Sequence, residues 1–224
     1  MIITLDGYAG SGKSSAARLL AAALGFDLMN TGAMYRATAF ALGEAGLDIH
    51  AYPRDEARIA AAVANYSFQL TDTRVRLNGR DVTDHVDTEA MGRAASKVGT
   101  FPEVRSRLKQ EQRRIAAGRD MICEGRDQGT AVFPDAPVKF FFTASVETRA
   151  RRRAEQDGLD PVKQPAAFAE LKKQIALRDK QDEDRPIDPL RKAADAIGID
   201  STDLALDEVL SLMLEVVERC RQRV

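Results

Sequence analysis

The string Gly7-Tyr8-Ala9-Gly10-Ser11-Gly12-Lys13-Ser14 follows directly on the apolar run Ile2-Ile3-Thr4-Leu5. It precedes a stretch carrying Ala16, Leu19, Leu20, Ala23 and Leu24 at helical spacing, which Gly25 ends. A buried strand over 1–6, a G-x-x-x-x-G-K-S turn and a helix starting near Ser14 make a phosphate-binding loop. Gly7, Gly10 and Gly12 let the backbone come close to a phosphate, and the helix start adds its unpaired N–H groups. Lys13 neutralises β- and γ-phosphate oxygens in such a loop, and the Ser14 hydroxyl ligates Mg²⁺. Gly7, Tyr8, Ala9, Gly10, Ser11, Gly12, Lys13, Ser14 and Ser15 are therefore the expected nucleoside triphosphate site.

The rest of the chain supports one α/β domain. Strand-like runs alternate with helical patterns: 26–29, then a helix from a Thr31 cap to Ala41, then 120–124, 138–143 and 194–200. The last helix bears Leu206, Val209, Leu210, Met213, Val216, Val217 and Cys220 on one stripe, as core packing. Period-two alternation in Tyr66–Leu70 and Val75–Leu77, around Thr71-Asp72-Thr73 and before Asn78-Gly79, marks a small antiparallel insertion. Residues 156–166 form a short loop between two charged helices. The expected fold class is thus α/β: a P-loop NTPase-like parallel sheet wrapped by helices, with a small antiparallel β insertion and a short lid. Within it we expect a core of about 1–40, 88–150 and 190–224, an acceptor insertion of about 41–87 and a lid region of about 151–189.

Charge and cysteine usage narrow the partners. Lys+Arg number 33 against Asp+Glu 34, so no overall field draws polymeric nucleic acid or an anionic membrane. Cys123 and Cys220 match no metal or redox spacing, which suits a reducing cytoplasm, and no apolar run is long enough to span a bilayer. Nothing in the sequence argues against a monomer.

A switch GTPase needs a guanine-reading Asn-Lys-x-Asp string, which is absent. Downstream of the loop the chain instead carries a series of arginines in small motifs, as a second anionic substrate requires. In Asn30-Thr31-Gly32-Ala33-Met34-Tyr35-Arg36, a strand end and a cap place Arg36 early in a helix. Glu124-Gly125-Arg126-Asp127-Gln128-Gly129-Thr130 follows a strand end, where open α/β sheets bind ligands. Arg149, Arg152 and Arg153 share one helical face beside the 156–166 loop. Arg178 and Arg185 are two turns apart, and Arg178 with Asp182 has the spacing of a helical ion pair.

Taken together, these motifs resemble the bacterial cytidylate kinases, which move the γ-phosphoryl group of ATP onto CMP and dCMP. The resemblance runs the length of the chain. It rests on the loop, on Thr31–Arg36, on Leu77-Asn78-Gly79-Arg80-Asp81-Val82-Thr83, on Ala94–Val98 and Pro102–Arg105, and on Gly125-Arg126-Asp127 with Gly129-Thr130 and Val132–Pro137. It implies that Ser96, Arg105 and Asp127 read the cytosine edge, that Arg36 and Arg126 clamp the CMP phosphate and that Thr31 belongs to the CMP site. It also implies that Arg178 and Asp182 hold the ribose, with Arg185 a further arginine of the acceptor site. Lys13, Arg126, Arg152 and Arg153 would then act on the transferring phosphoryl group, with Mg²⁺ carried by ATP and Ser14. Three positions depart from the family pattern: Asn30 for Asp, Tyr8 for Pro, and Gln128 for an apolar residue. Two other readings stay open at this point. One is a small-molecule kinase of the same fold, such as a gluconate or shikimate kinase; the other is an ATP-binding regulatory module without turnover.

Overall fold

Strand β1 (Ile2–Gly7) alternates side chains between two buried faces, so it must be central. The computed structural model describes residues 1–71 and 73–222, with the backbone alone at Glu89. In chain order β1 is followed by α1 (Lys13–Leu24), β2 (Asp27–Asn30), α2 (Thr31–Glu44) and, after a short 3-10 turn, α3 (Glu56–Ala64). The insertion comes next as β3 (Phe68–Leu70), β4 (Val75–Leu77) and β5 (Arg80–Asp81), then α4 (Thr83–Val86), α5 (Glu89–Val98) and α6 (Pro102–Ala116). The chain returns to the sheet with β6 (Met121–Glu124), crosses a π-helical turn (Gln128–Val132) and enters β7 (Val138–Thr143). It closes with α7 (Val146–Gln156), α8 (Pro165–Glu183), β8 (Ile197–Asp200) and α9 (Leu206–Arg221).

The main sheet has the order β2-β6-β1-β7-β8 and is parallel throughout. Leu5 and Asn30 both lie opposite Glu124, and Gly7 opposite Phe142, so these strand ends meet at one edge. That edge is where a parallel sheet presents its loops to ligands. Ile3, Leu5, Ile122, Phe140 and Phe142 face α1 and α9 and pack with Leu20, Val209 and Met213. Met29, Met121 and Cys123 face the other way, against Met34, Leu42, Ile59 and Leu108 from α2, α3 and α6 and Phe101 just before α6. The expected α9 stripe holds except at its start: Val209, Met213 and Val217 are buried, and Leu210, Val216 and Cys220 pack on their cluster, but Leu206, in the first turn, is exposed.

The insertion is a three-stranded antiparallel sheet, β3-β4-β5, packed by Phe68, Val75 and Leu77 onto the α2–α6 side. Asp72, within the turn expected at 71–73, lies outside the described residues, as do Arg223 and Val224. Several boundaries differ from expectation: β2 lies one residue later than 26–29, and α2 runs on past Ala41 to Glu44. α2 is capped by Asn30, whose side-chain oxygen accepts the Ala33 N–H, because Thr31 turns inward and donates to the Glu124 carbonyl. α8 ends at Glu183, so Arg185 falls beyond it; Pro186 disfavours helical geometry at the residue before it. β8 begins at Ile197, since Asp195 instead turns back to pair with Lys139.

Candidate active site

The donor loop connects β1 to α1 through Gly12, whose φ of 82° lies in the left-handed region that glycine adopts without strain. No side chain caps α1, so the helix start keeps its N–H groups open to an anion, while the Tyr8 and Ser11 N–H groups donate to the Phe142 and Tyr8 carbonyls. The loop's own polar groups are already organised. Lys13 Nζ donates to the Tyr8 carbonyl at 3.0 Å and lies 3.8 Å from Glu124, and Ser14 Oγ donates to Glu124 at 2.5 Å. Burial and then nearby Arg126 bring the Lys13 ammonium down to about 7, with Glu124 opposing. An anion bound against Lys13 reverses that effect, because it favours the charged form. Tyr8, which stands where a proline is usual, ties the loop outward: its hydroxyl donates to Glu183 at 2.5 Å and its ring lies edge-on to Phe141.

The loop opens into a cleft of about 300 Å³ at the strand ends. Its lining brings together Lys13, Ser14, Thr31, Arg36, Ser96, Arg105, Arg126, Asp127, Arg153, Arg178, Asp182 and Arg185. Every residue expected to touch the acceptor is among them, although they come from α2, α5, α6, the loop after β6, α8 and the segment after it. Residues 105 and 127 are partners: buried Arg105 donates to Asp127 through Nη2, to Asp188 through Nε at 2.9 Å, and to the Gly99 carbonyl at 3.2 Å. Burial works against the charge on Arg105, yet Tyr35, Asp127 and Asp188 together hold its pKa above the usual arginine value.

The remaining arginines of the cleft divide sharply. Arg126 Nε donates to Asp182 at 2.9 Å, so Asp182 is not the helical partner of Arg178. Arg185 is held by the carbonyls of Ile187 and Asp188 in its own segment. Arg36 and Arg178, by contrast, have buried Nε atoms with no hydrogen-bond partner among the described residues. Burial, and then Arg126, depress the pKa of Arg178. A guanidinium with an unpartnered buried nitrogen is unfavourable alone, and an anion beside it would offset that cost.

Of the lid arginines, Arg153 alone reaches the cleft lining, where it also pairs with Asp157. Arg152 is held by the hydroxyl and carbonyl of Ser201, and a side chain at Gly12 would meet its Nη1 at 3.7 Å. Arg149 is a buried strut rather than a mobile lid residue: it forks onto Asp179 and bonds the carbonyls of Ala144 and Ala9. The Gln128 amide donates to the Gln112 side chain at 3.1 Å in the core, while Gln128 Oε1 and Gln112 Nε2 lack partners among the described residues. Sequence reasoning missed Glu124 and Asp188. Glu124 carries a usable signal, an acid closing a central strand beside the loop strand. Asp188 carries none, because its role depends on a left-handed turn with φ of 48°.

A phosphate loop at the end of a parallel sheet, facing a cleft of arginines and carboxylates, defines a nucleotide-binding phosphotransferase of the P-loop class. Residues 3–219 match the family model described as cytidylate kinase. Similar proteins include the cytidylate kinase of Methylococcus capsulatus, 42% identical over 223 residues, covering 97% of this chain and 96% of that one. The cytidylate kinase of Halalkalibacterium halodurans is 42% identical over 222 residues, covering 97% of each. The chain belongs to the cytidylate kinase family. Among solved structures, an uncharacterized protein from Eubacterium ventriosum shares the fold with a TM-score of 0.50 at 15% identity, over 97% of this chain and 98% of that one. No helix among the described residues is long and apolar enough to cross a membrane.

Proposed function

We propose that this enzyme transfers the γ-phosphoryl group of ATP in line onto the phosphate of CMP and dCMP, giving CDP and dCDP. The observation that carries the reading is the pair Arg36 and Arg178, whose buried Nε atoms lack partners on a wall facing Lys13 and Ser14. A dianionic monophosphate supplies what they lack, and arginine forks suit its oxygens. Arg126 completes that phosphate site, to which Arg178 moves from the ribose role the resemblance implies; Asp182 and Arg185 hold the sugar side, and Thr31, its hydroxyl committed to the Glu124 carbonyl, lines the cleft beside them. Ser96, Arg105 and Asp127 read the base. A carboxylate accepts from the cytosine amino group and an arginine donates to its acceptor edge; uracil presents a carbonyl where the amino group stood, which leaves the carboxylate unpaired.

The acceptor is mostly ionised at neutral pH, so the site needs no strong general base. Residues 7–15 position the donor, Lys13 and Arg126 neutralise the equatorial oxygens, and Arg153 with Arg152 behind it closes over them from the lid region of about 151–189. Among the described residues no group of three His, Cys, Asp or Glu is placed to hold a metal. Mg²⁺, which typically binds through substrate phosphates and few protein oxygens, fits the Ser14 and Glu124 oxygens at the loop and would supply charge neutralisation there. The substrates on this reading are free nucleotides, not polymeric nucleic acid or membrane, and the enzyme acts as a cytoplasmic monomer.

A coupled ADP-release assay over CMP, dCMP, UMP, AMP and shikimate tests the reading. We expect turnover of CMP and dCMP, much weaker turnover of UMP, and none of shikimate. Preferred turnover of AMP or shikimate would overturn it, and so would ATP binding without ADP release on any acceptor.

A further inference from the structure

Asp6 is the penultimate residue of β1, just before the donor loop, and is buried, yet it does not line the cleft. Both its oxygens are used. Oδ1 accepts the Gln128 N–H at 2.8 Å and Oδ2 accepts the Gly129 N–H at 2.7 Å. These two N–H groups open the π-helical turn at 128–132, where no carbonyl of the turn can reach them. The fit is close: a Cβ on Gly129 would come 2.9 Å from Thr4 Oγ1 and 3.2 Å from Lys139 Cδ. On the other side, the Gly125 N–H donates to the Leu5 carbonyl at 2.9 Å. Arg126 and Asp127 therefore span a short bridge between two anchors on neighbouring residues of β1. Their side chains leave that bridge toward Asp182 and Arg105 in the cleft.

We propose that Asp6 is a positioning residue for acceptor recognition: by pinning the Gln128 and Gly129 N–H groups, it fixes where Arg126 and Asp127 meet the bound nucleotide. The inference rests on the reading of Asp127 as the base-reading carboxylate. It makes one side chain common to the two halves of the site, since the residue after Asp6 begins the donor loop.

The ionised carboxylate offers an acceptor to each N–H; the protonated acid sets a donor among donors and releases one of them. Asp127 and Arg126 face it from the bridge, the Cys123 thiol from β6 and the Lys139 stem from β7. Lys139 itself is committed to Asp195 and the Pro134 carbonyl. Burial pushes Asp6 up to about 7 against the pull of its two N–H donors. The bridge is thus firmly held above that value and slackens below it.

The test is the ratio of kcat/KM for CMP to that for UMP between roughly pH 6 and pH 8. Both acceptors carry the same monoester, so its ionisation cancels in the ratio, as does that of Lys13. The wild-type ratio is expected to rise at least about threefold with pH. In Asp6→Asn it stays low and flat, with KM for CMP raised and KM for ATP little changed. A wild-type ratio that is flat while Asp127→Ala lowers it would overturn the role of Asp6 alone; a pH rise preserved in Asp6→Asn would do the same. An unchanged ratio in Asp127→Ala would instead remove the base-reading assignment, and this inference with it. Should Asp6→Asn not fold, the wild-type profile decides.

Discussion

The phosphate loop and the arginine wall proposed to hold the acceptor line one cleft but are built in opposite ways. The loop is eight consecutive residues, and its cation and hydroxyl are already bonded to their own neighbours: Lys13 to the Tyr8 carbonyl, Ser14 to Glu124. It is braced from behind, with Arg149 on the Ala9 carbonyl and Ser201 on the Ser11 carbonyl. The wall draws on segments as distant as 31–36 and 178–185, and its cations are divided between paired and unpaired. A local motif is rigid and general, so it serves many triphosphate-binding proteins. An assembled wall is specific, and its stability depends on which arginine has which partner.

Substitutions can break that contrast. The largest effect is expected at the loop: Lys13→Ala lowers turnover of CMP by on the order of 10³-fold with the fold intact, because the lost charge acts on the migrating phosphoryl group. Turnover near the wild-type value would remove the donor assignment. On the wall, Arg105 and Arg178 should separate. Arg105→Met strands the buried Asp127 and loosens Asp188, and should lose ~3–5 kcal/mol in denaturant unfolding. Arg178→Met removes a buried charge that lacks a partner at Nε, so its midpoint should hold or rise while KM for CMP rises by roughly 10–10²-fold. Equal stability losses in the two variants would contradict the division into paired and unpaired arginines.

The smallest effect is expected at Asn30, where α2 meets the wall. An Asp keeps the cap to Ala33, but it adds a charge near Arg36: a Cβ on Gly32 would lie 3.2 Å from Asn30 Oδ1 and 3.6 Å from Arg36 Nη1. Asn30→Asp should therefore raise KM for CMP several-fold at low ionic strength, about 1 kcal/mol, with kcat little changed and salt narrowing the gap. An unchanged KM at low salt would make Asn30 a capping residue only.

The same contrast decides what could be read from the sequence. The strand-loop-helix over 1–24, the central strands expected at 120–124 and 138–143 and the α9 stripe depend on period and spacing within one segment, and they stand but for Asp120, outside its strand, and the exposed Leu206. The pairing of charges does not. Arg178 and Asp182 have the spacing of an ion pair, yet Arg126, 56 residues earlier, takes the carboxylate. Arg149 shares a face with Arg152 and Arg153 but is buried against Asp179, because α7 and α8 close on each other there. Asp6 reads as the end of a strand; its partners lie more than 120 residues away. The resemblance to a family gathered the wall's residues, whereas their partners needed the tertiary structure.

The central claim is that the free arginines of the wall bind the acceptor's phosphate. Calorimetric titration of CMP and of cytidine, in parallel at one salt concentration, tests it most directly. Charge-assisted hydrogen bonds from Arg36 and Arg178 should make CMP bind at least ~10²-fold more tightly than the nucleoside, with the gap narrowed in Arg178→Met. Cytidine binding as tightly as CMP, or an undiminished gap in Arg178→Met, would contradict it.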